Sequence, residues 1–253
     1  MTVEKYLERI GLRGPLSPTR ETLFALQKAH LFTVPYENLD ILAGVPLSLN
    51  PEDLYEKIVD RKRGGYCFEL NELFAWLLRA VGYQVTDYFA RFLRDVENEI
   101  PKRRHHVLRV KVEGENADYL CDVGVGSGSP TYPVKMVLSE VQVQGANTYR
   151  FAKDPFLGWV LEEEKRGAFV PLFSFTEEPQ LGKDFITTAY YCEYAEDSPF
   201  NKAPMVAMRF EGGRQTLDGW AFKRFVGDQV EVMTVDDPAV RDRILGEWFG
   251  LRV

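Results

Sequence analysis

Apolar positions in the first third of the chain recur at the spacing of core-facing helices. Leu23, Phe24, Leu26 and Leu31 share one face of a helix that Ser17-Pro18 would open, with the serine as N-cap and the proline in the first turn. Asn50-Pro51 repeats that signal ahead of Leu54, Tyr55, Ile58 and Val59. Leu70, Leu73, Phe74, Leu77, Leu78 and Val81 then continue the i, i+3, i+4, i+7 pattern until Gly82 can close the helix. Between these stretches lies V-P-Y-E-N-L-D-I-L, residues 34–42, where a proline and Asn/Asp residues interrupt the period and predict a loop.

After Gly82 the period shortens. Segments 83–92, 106–113, 118–123, 142–151, 157–162 and 168–175 are rich in Val, Tyr, Phe and Thr and are separated by Gly, Pro, Asn or Asp, which predicts antiparallel strands in a barrel or strongly curved sheet. The remainder combines a hairpin at Gly212-Gly213, a strand over residues 230–235, and a terminal helix opened by Asp237-Pro238 and carrying Val240, Ile244, Leu245, Trp248 and Phe249. The fold class expected is α+β, with a helical part (1–82), a β-rich part (83–185) and a mixed part (186–253). No repeat or low-complexity linker separates them, so they are expected to pack as one unit.

Composition narrows the partners. A chain of 253 residues, 45% hydrophobic and 27% charged, can bury a sizeable core, and its net charge of −7 argues against a nucleic-acid surface. The one basic run of note, K-R-R at 102–104, reads equally as a solvated loop or an anion contact. No apolar stretch approaches the ~18 residues that span a bilayer, and M-T-V-E-K-Y-L-E-R-I interleaves charge with apolar residues as a short helix does, not a signal peptide. Cys67, Cys121 and Cys192 are far apart and form no CxxC pair, which suits a reduced, cytoplasmic protein without structural zinc.

The candidate chemistry centres on R-G-G-Y-C-F-E-L-N, residues 63–71, where a glycine turn runs into a helix at Cys67. Unpaired backbone N–H groups and the positive end of the helix dipole would favour thiolate there and pull the pKa below the free value of ~8.5. The plain alternative is a buried structural cysteine. Gly64-Gly65 permit close backbone approach or positive φ, and polar neighbours (Arg63, Glu69, Asn71, Glu72) suit a cleft better than a core.

A nucleophilic thiol needs a base, and the base needs an orienting acceptor. Of three histidines, His30 lies among apolar residues and reads as structural. His105 and His106 open the strand H-H-V-L-R-V-K-V, where side chains alternate: His105, Val107 and Arg109 form a mixed face, while His106, Leu108, Val110 and Val112 form an apolar face expected to point into the barrel. Periodicity alone leaves the choice open. Asp122, ending an apolar strand in Y-L-C-D-V-G-V-G (119–126), is either the orienting carboxylate or a turn cap.

Taken in order, R-G-G-Y-C-F-E-L-N, V-P-Y-E-N-L-D, the histidine strand and D-V-G-V-G resemble the arylamine N-acetyltransferases. The resemblance implies an N-terminal helical bundle, a central antiparallel β-barrel and a C-terminal α/β lid, with a catalytic core of the cysteine-protease and transglutaminase kind. The family's H-x-x-L-x-V pattern fits His105, followed by Leu108 and Val110, whereas His106 would place Arg109 and Lys111 there. Cys67, His105 and Asp122 would then form a catalytic triad that uses acetyl-CoA as donor, needs no metal, and works by ping-pong transfer through an acetyl-cysteine. Acceptors would be aromatic amines and hydrazines, with O-acetylation of arylhydroxylamines as a related activity and xenobiotic metabolism as the setting. Arg63 and Glu37 match positions that form a buried ion pair, and Tyr36 is the aromatic of the P-[FY]-E-N loop, expected to contact substrate. Val125 departs from the pattern: D-V-G-F-G commonly carries Phe there, so either a neighbour supplies the ring or the acceptor range shifts. The same thiol could instead serve an amide synthase acting on a carrier-bound thioester, or a cysteine hydrolase or transglutaminase-like enzyme.

Overall fold

The computed structural model describes residues 1–94 and 99–252; residues 95–98 and 253 lie outside the description. Helices α1 (Val3–Arg9), α2 (Arg20–Thr33), α4 (Pro51–Tyr55) and α5 (Cys67–Val81) build the first third, with a single turn α3 (Leu39–Leu42) and a π-helical turn, Glu56–Asp60, continuing α4. Local chemistry explains the ends. The Asn50 side chain accepts the Glu52 N–H at 2.8 Å to open α4, and Gly82 closes α5 at φ 110°. The start of α2 differs from expectation. Thr19, not Ser17, is its cap, because the Thr19 hydroxyl reaches the Thr22 N–H while the Ser17 carbonyl is already held by the Thr19 amide. Leu70, Leu73, Phe74, Leu77 and Leu78 of α5 pack with Tyr6, Leu23, Leu26, Leu54 and Ile58 into one apolar core.

Residues 34–42 are not a plain loop. They hold the two-residue strand β1 (Tyr36–Glu37), which pairs with Val206 and Ala207 and also bonds the Gly65 carbonyl at 2.9 Å, and α3, whose Leu39 N–H is accepted by the Glu37 carboxylate at 2.8 Å.

The middle of the chain forms β2 (Gln84–Phe92), β3 (His105–Lys111), β4 (Tyr119–Cys121), β5 (Val134–Lys135), β6 (Gln142–Gln144), β7 (Asn147–Asp154), β8 (Gly158–Lys165) and β9 (Ala168–Phe175). They join in one eight-stranded antiparallel sheet of order β5-β4-β3-β2-β9-β8-β7-β6, curled into a nearly closed barrel. At the seam, side chains replace the backbone ladder. The Gln142 amide both accepts from the Lys135 N–H and donates to the Lys135 carbonyl, each at 2.8 Å, and Gln144 does the same to Tyr132 at 3.0 Å.

The faces of β3 are the reverse of those expected. Val107 enters the barrel core with Tyr88, Leu120, Phe151 and Phe173, whereas Leu108 and Val110 point outward into the helical core. The outer surface of β2 and β3 is covered by α5, so the more apolar face belongs to the helices. Arg109, on the inner-facing set, stays half-buried at the far end of the strand beside Asp118 and Glu177.

The last third contains α6 (Phe185–Tyr194), β10 (Met205–Phe210), β11 (Gly213–Asp218), β12 (Ala221–Val226), β13 (Gln229–Thr234) and α7 (Pro238–Phe249), the last capped by Asp237. Its sheet has the order β1-β10-β11-β12-β13, so a strand from the first third forms one edge. Asn38 strengthens that tie: it donates to the carbonyls of Phe200 and Ala203 and accepts the Met205 N–H at 2.7 Å. Among the described residues no helix is long and apolar enough to cross a membrane.

Candidate active site

Cys67 is the first residue of α5, and its position follows from tight approaches on either side. A Cβ on Gly64 would lie 2.0 Å from the Pro35 carbonyl oxygen, and one on Gly65 would lie 2.9 Å from Glu69, so the two glycines provide close approach and not positive φ. Glu69 accepts the Tyr66 N–H at 3.1 Å and closes the first turn. Gly124 is held as closely from the opposite side: a Cβ there would lie 2.6 Å from the Asn71 amide nitrogen and 2.7 Å from Cys67 Cα.

His105 opens β3, between the rings of Phe92 and Phe173. Its Nε2 lies 2.7 Å from Asp122 Oδ2, and its Nδ1 is buried with no hydrogen-bond partner. The tautomer follows. Nε2–H donates to the carboxylate, which leaves the Nδ1 lone pair as the free basic position. Asp122 is itself fixed by the Gly124 N–H at 2.8 Å and by the Asn71 side-chain amide at 2.9 Å, both on Oδ1. Asn71 also donates to the His106 carbonyl at 2.7 Å and accepts the Val123 N–H at 2.9 Å, so one side chain ties α5 to β3 and to the loop after β4. Gln27 of α2 adds a second tie, accepting the Asp122 N–H and donating to the Pro130 carbonyl.

Cys67 and His105 face one cavity of about 380 Å³, lined also by Tyr36, Phe92, Arg104, Val125 and Phe200. Val125 thus lies on the wall, and Phe92, Phe200 and Tyr36 supply the rings that it lacks. The thiol departs from the depression expected of a helix N-terminus. Burial pushes it well up, nearby Cys192 and Asp122 add to that, and the N–H groups of Phe68 and His106 only partly oppose it. It donates a long hydrogen bond to the Arg104 carbonyl, at 3.8 Å.

His106 points away, to Asp87 at 3.0 Å, and stacks on Phe185 with ring centres 4.0 Å apart. Glu72, Asp87 and His106 bring three potential ligand atoms together, but Arg79 already bonds Asp87. His30 is buried against the Tyr6 hydroxyl and Phe74.

Arg63 bonds Glu37 through both Nε and Nη2, at 3.0 and 2.8 Å, and reaches Asp40 at 2.9 Å. The pair belongs to a larger network that sequence reasoning missed: Lys57 bonds Asp40 and Glu69, each at 2.7 Å. Burial would raise the Asp40 carboxyl, but Lys57 and Arg63 outweigh it and hold the group below the usual range. Burial of Glu69 wins over Lys57 and pushes it up to about 7. A lysine within an otherwise helical pattern carries no sign of such burial, and Asn71 gave only its polarity as a signal.

Known proteins resemble this chain in sequence and in fold. A family described as N-acetyltransferase matches residues 19–253. The arylamine N-acetyltransferase of Mycolicibacterium smegmatis is 36% identical over 222 residues, 87% of this chain and 80% of that protein. The enzyme of Escherichia coli is 30% identical over 98% of this chain and 88% of its own. Among solved structures, the M. smegmatis N-acetyltransferase superposes with a TM-score of 0.94 at 33% identity, covering 99% of this chain and 92% of that one. The Mycobacterium marinum enzyme in complex with CoA gives 0.91 at 31%, covering 98% and 92%. With the family match spanning nearly the whole chain and relatives at this level of identity, the chain belongs to the arylamine N-acetyltransferase family.

Proposed function

We propose that this protein transfers acetyl from acetyl-CoA to aromatic amines and arylhydrazines through an acetyl-Cys67 intermediate. The observation that carries the reading is the His105 ring, bonded through Nε2 to Asp122 and left with a free Nδ1 beside the cavity that also holds the Cys67 thiol. A buried thiol pushed upward by desolvation ionises only if its proton stays close. His105 Nδ1 takes that proton, and the imidazolium, steadied by Asp122, compensates the thiolate.

In the first half-reaction the thiolate attacks the acetyl carbonyl carbon, the carbon–sulfur bond to CoA breaks, and the departing CoA sulfur recovers the proton from Nδ1. In the second, the amine nitrogen attacks the acetyl-cysteine and gives its proton to Nδ1; the carbon–Sγ bond breaks and the proton returns to Sγ. Exchange of one thioester for another is close to thermoneutral, and a thiolate is both a good nucleophile and a good leaving group. General-base catalysis by His105 contributes ~10²–10⁴-fold, and the Cys67 backbone N–H at the helix start is a donor for the tetrahedral oxyanion. The CoA complex of the M. marinum relative supports CoA as the donor's carrier. The Salmonella typhimurium relative, named also as an N-hydroxyarylamine O-acetyltransferase, supports arylhydroxylamines as further acceptors. Arg63, Glu37 and the Lys57 network hold the turn before Cys67 and have a structural role in this reading.

Incubation with acetyl-CoA without amine, followed by peptide mass spectrometry, tests it. One acetyl group is expected on Cys67, absent in Cys67→Ser and discharged on addition of an arylamine. An unmodified Cys67 would overturn the reading and favour hydrolase or carrier-dependent chemistry.

A further inference from the structure

The basic run at 102–104 divides in the fold. Lys102 pairs with Asp197 at 2.6 Å and Arg103 with Glu178 at 3.2 Å, so two of the three cations are matched by carboxylates outside the cavity. Arg104 is different. It is half-buried, lines the cavity with Cys67 and His105, and among the described residues forms no ion pair; its guanidinium carbon lies 5.8 Å from the centre of the Phe200 ring. Among the described residues the one carboxylate on the cavity wall, Asp218, is exposed at the end of β11 and does not pair with it.

A guanidinium without a partner in a largely apolar cavity favours a ligand that brings the opposite charge, and its planar fork matches a carboxylate. The distance to the chemistry is short. The Arg104 carbonyl lies 3.8 Å from Cys67 Sγ, and Arg104 lines the same cavity as the thiol. That is the region an acceptor must occupy, and its other walls, Phe92, Val125 and Phe200, suit an aryl ring.

We propose, on the acetyl-transfer reading above, that Arg104 selects acceptors: the preferred amines carry a carboxylate on the ring. The carboxylate takes the guanidinium, the ring lies against the apolar walls, and the amino group meets the acetyl on Cys67.

The test compares 4-aminobenzoate with its uncharged amide, 4-aminobenzamide, in the wild type, Arg104→Met and Arg104→Lys. Acylation of Cys67 by acetyl-CoA is measured separately in a single turnover. The wild type is expected to favour the carboxylate in kcat/KM, Arg104→Met to reduce that preference about tenfold or more, and Arg104→Lys to restore part of it. A carboxylate-to-amide ratio unchanged by Arg104→Met overturns the proposal, as does a variant whose defect is confined to the acylation half-reaction, which would assign the cation to the donor. Failure of acylation in the wild type sinks the underlying acetyl-transfer reading instead, so the two failures are distinguishable.

Discussion

Replacing Asn71 by leucine keeps a side chain of similar branching, improves the local helix preference, and removes all three of its hydrogen bonds. The Val123 N–H and the His106 carbonyl would be left buried without the partners they now have at 2.9 and 2.7 Å. Asp122 Oδ1 would lose one donor but keep the Gly124 N–H, while Oδ2 keeps His105. Each orphaned buried backbone group costs about 1–3 kcal/mol, and the Asp122 bond is charge-assisted but shared. The sum is about 4 kcal/mol, near the top of the range for single substitutions. Urea unfolding followed by circular dichroism measures it, with Asn71→Ser, which keeps a polar group of smaller reach, as a control of intermediate effect. Iodoacetamide labelling of Cys67 provides the local readout, because loosening of the His105 strand should slow thiolate formation. A loss below about 1 kcal/mol, with labelling unchanged, would show that water or rearrangement replaces those bonds and that Asn71 does not brace the site.

Other substitutions test separate parts of the structure. Gly124→Ala places a methyl 2.7 Å from Cys67 Cα and 2.9 Å from its Cβ, and should lower kcat/KM by about 100-fold in a protein that still unfolds cooperatively; near-normal turnover would show that the loop yields freely. Lys57→Met removes the cation between Asp40 and Glu69 and should cost about 3 kcal/mol in chemical unfolding, with Glu69→Leu in the same chain recovering part of the loss; equal losses in single and double variants would count against the pairing. His30 is driven down to about 3 from its ordinary 6.5, first by burial and then by Arg9. Between those values the unfolded chain binds the proton that the folded one refuses, so stability should fall as pH drops from 6.5 towards 3, by up to about 1.4 kcal/mol per unit. His30→Gln should flatten that slope, and an identical pH profile would mean that other groups set it.

The parts of the fold legible in the sequence are those encoded over short range. The period of α5 and the caps at Asn50 and Asp237 are local chemistry, and they appear where the residues indicate. Thr19 and Ser17 are both adequate caps on paper, and only the reach of a hydroxyl to the Thr22 amide separates them. β1 escaped because its partners, Gly65 and Ala207, are distant in sequence and its own two residues carry no period. Alternation along β3 shows which residues share a face but not which face the helices cover, and so the more apolar face, with Leu108 and Val110, lies against the helices and not inside the barrel. The same limit applies at the site. Cys67, His105 and Asp122 each have a local signature, whereas Asn71, Lys57 and Asp40 act through contacts that no spacing reveals.

The glutamine seam of the barrel also has a consequence for inheritance. Everywhere else around the sheet, strand pairing is carried by backbone groups that only proline removes, so most substitutions leave the circuit closed. Between β5 and β6 it rests on the amides of Gln142 and Gln144, and two substitutions are enough to open it. Opening it would expose two short strand edges to other chains. The barrel therefore has one point at which evolution, or an engineer, could widen or split it without rebuilding the rest.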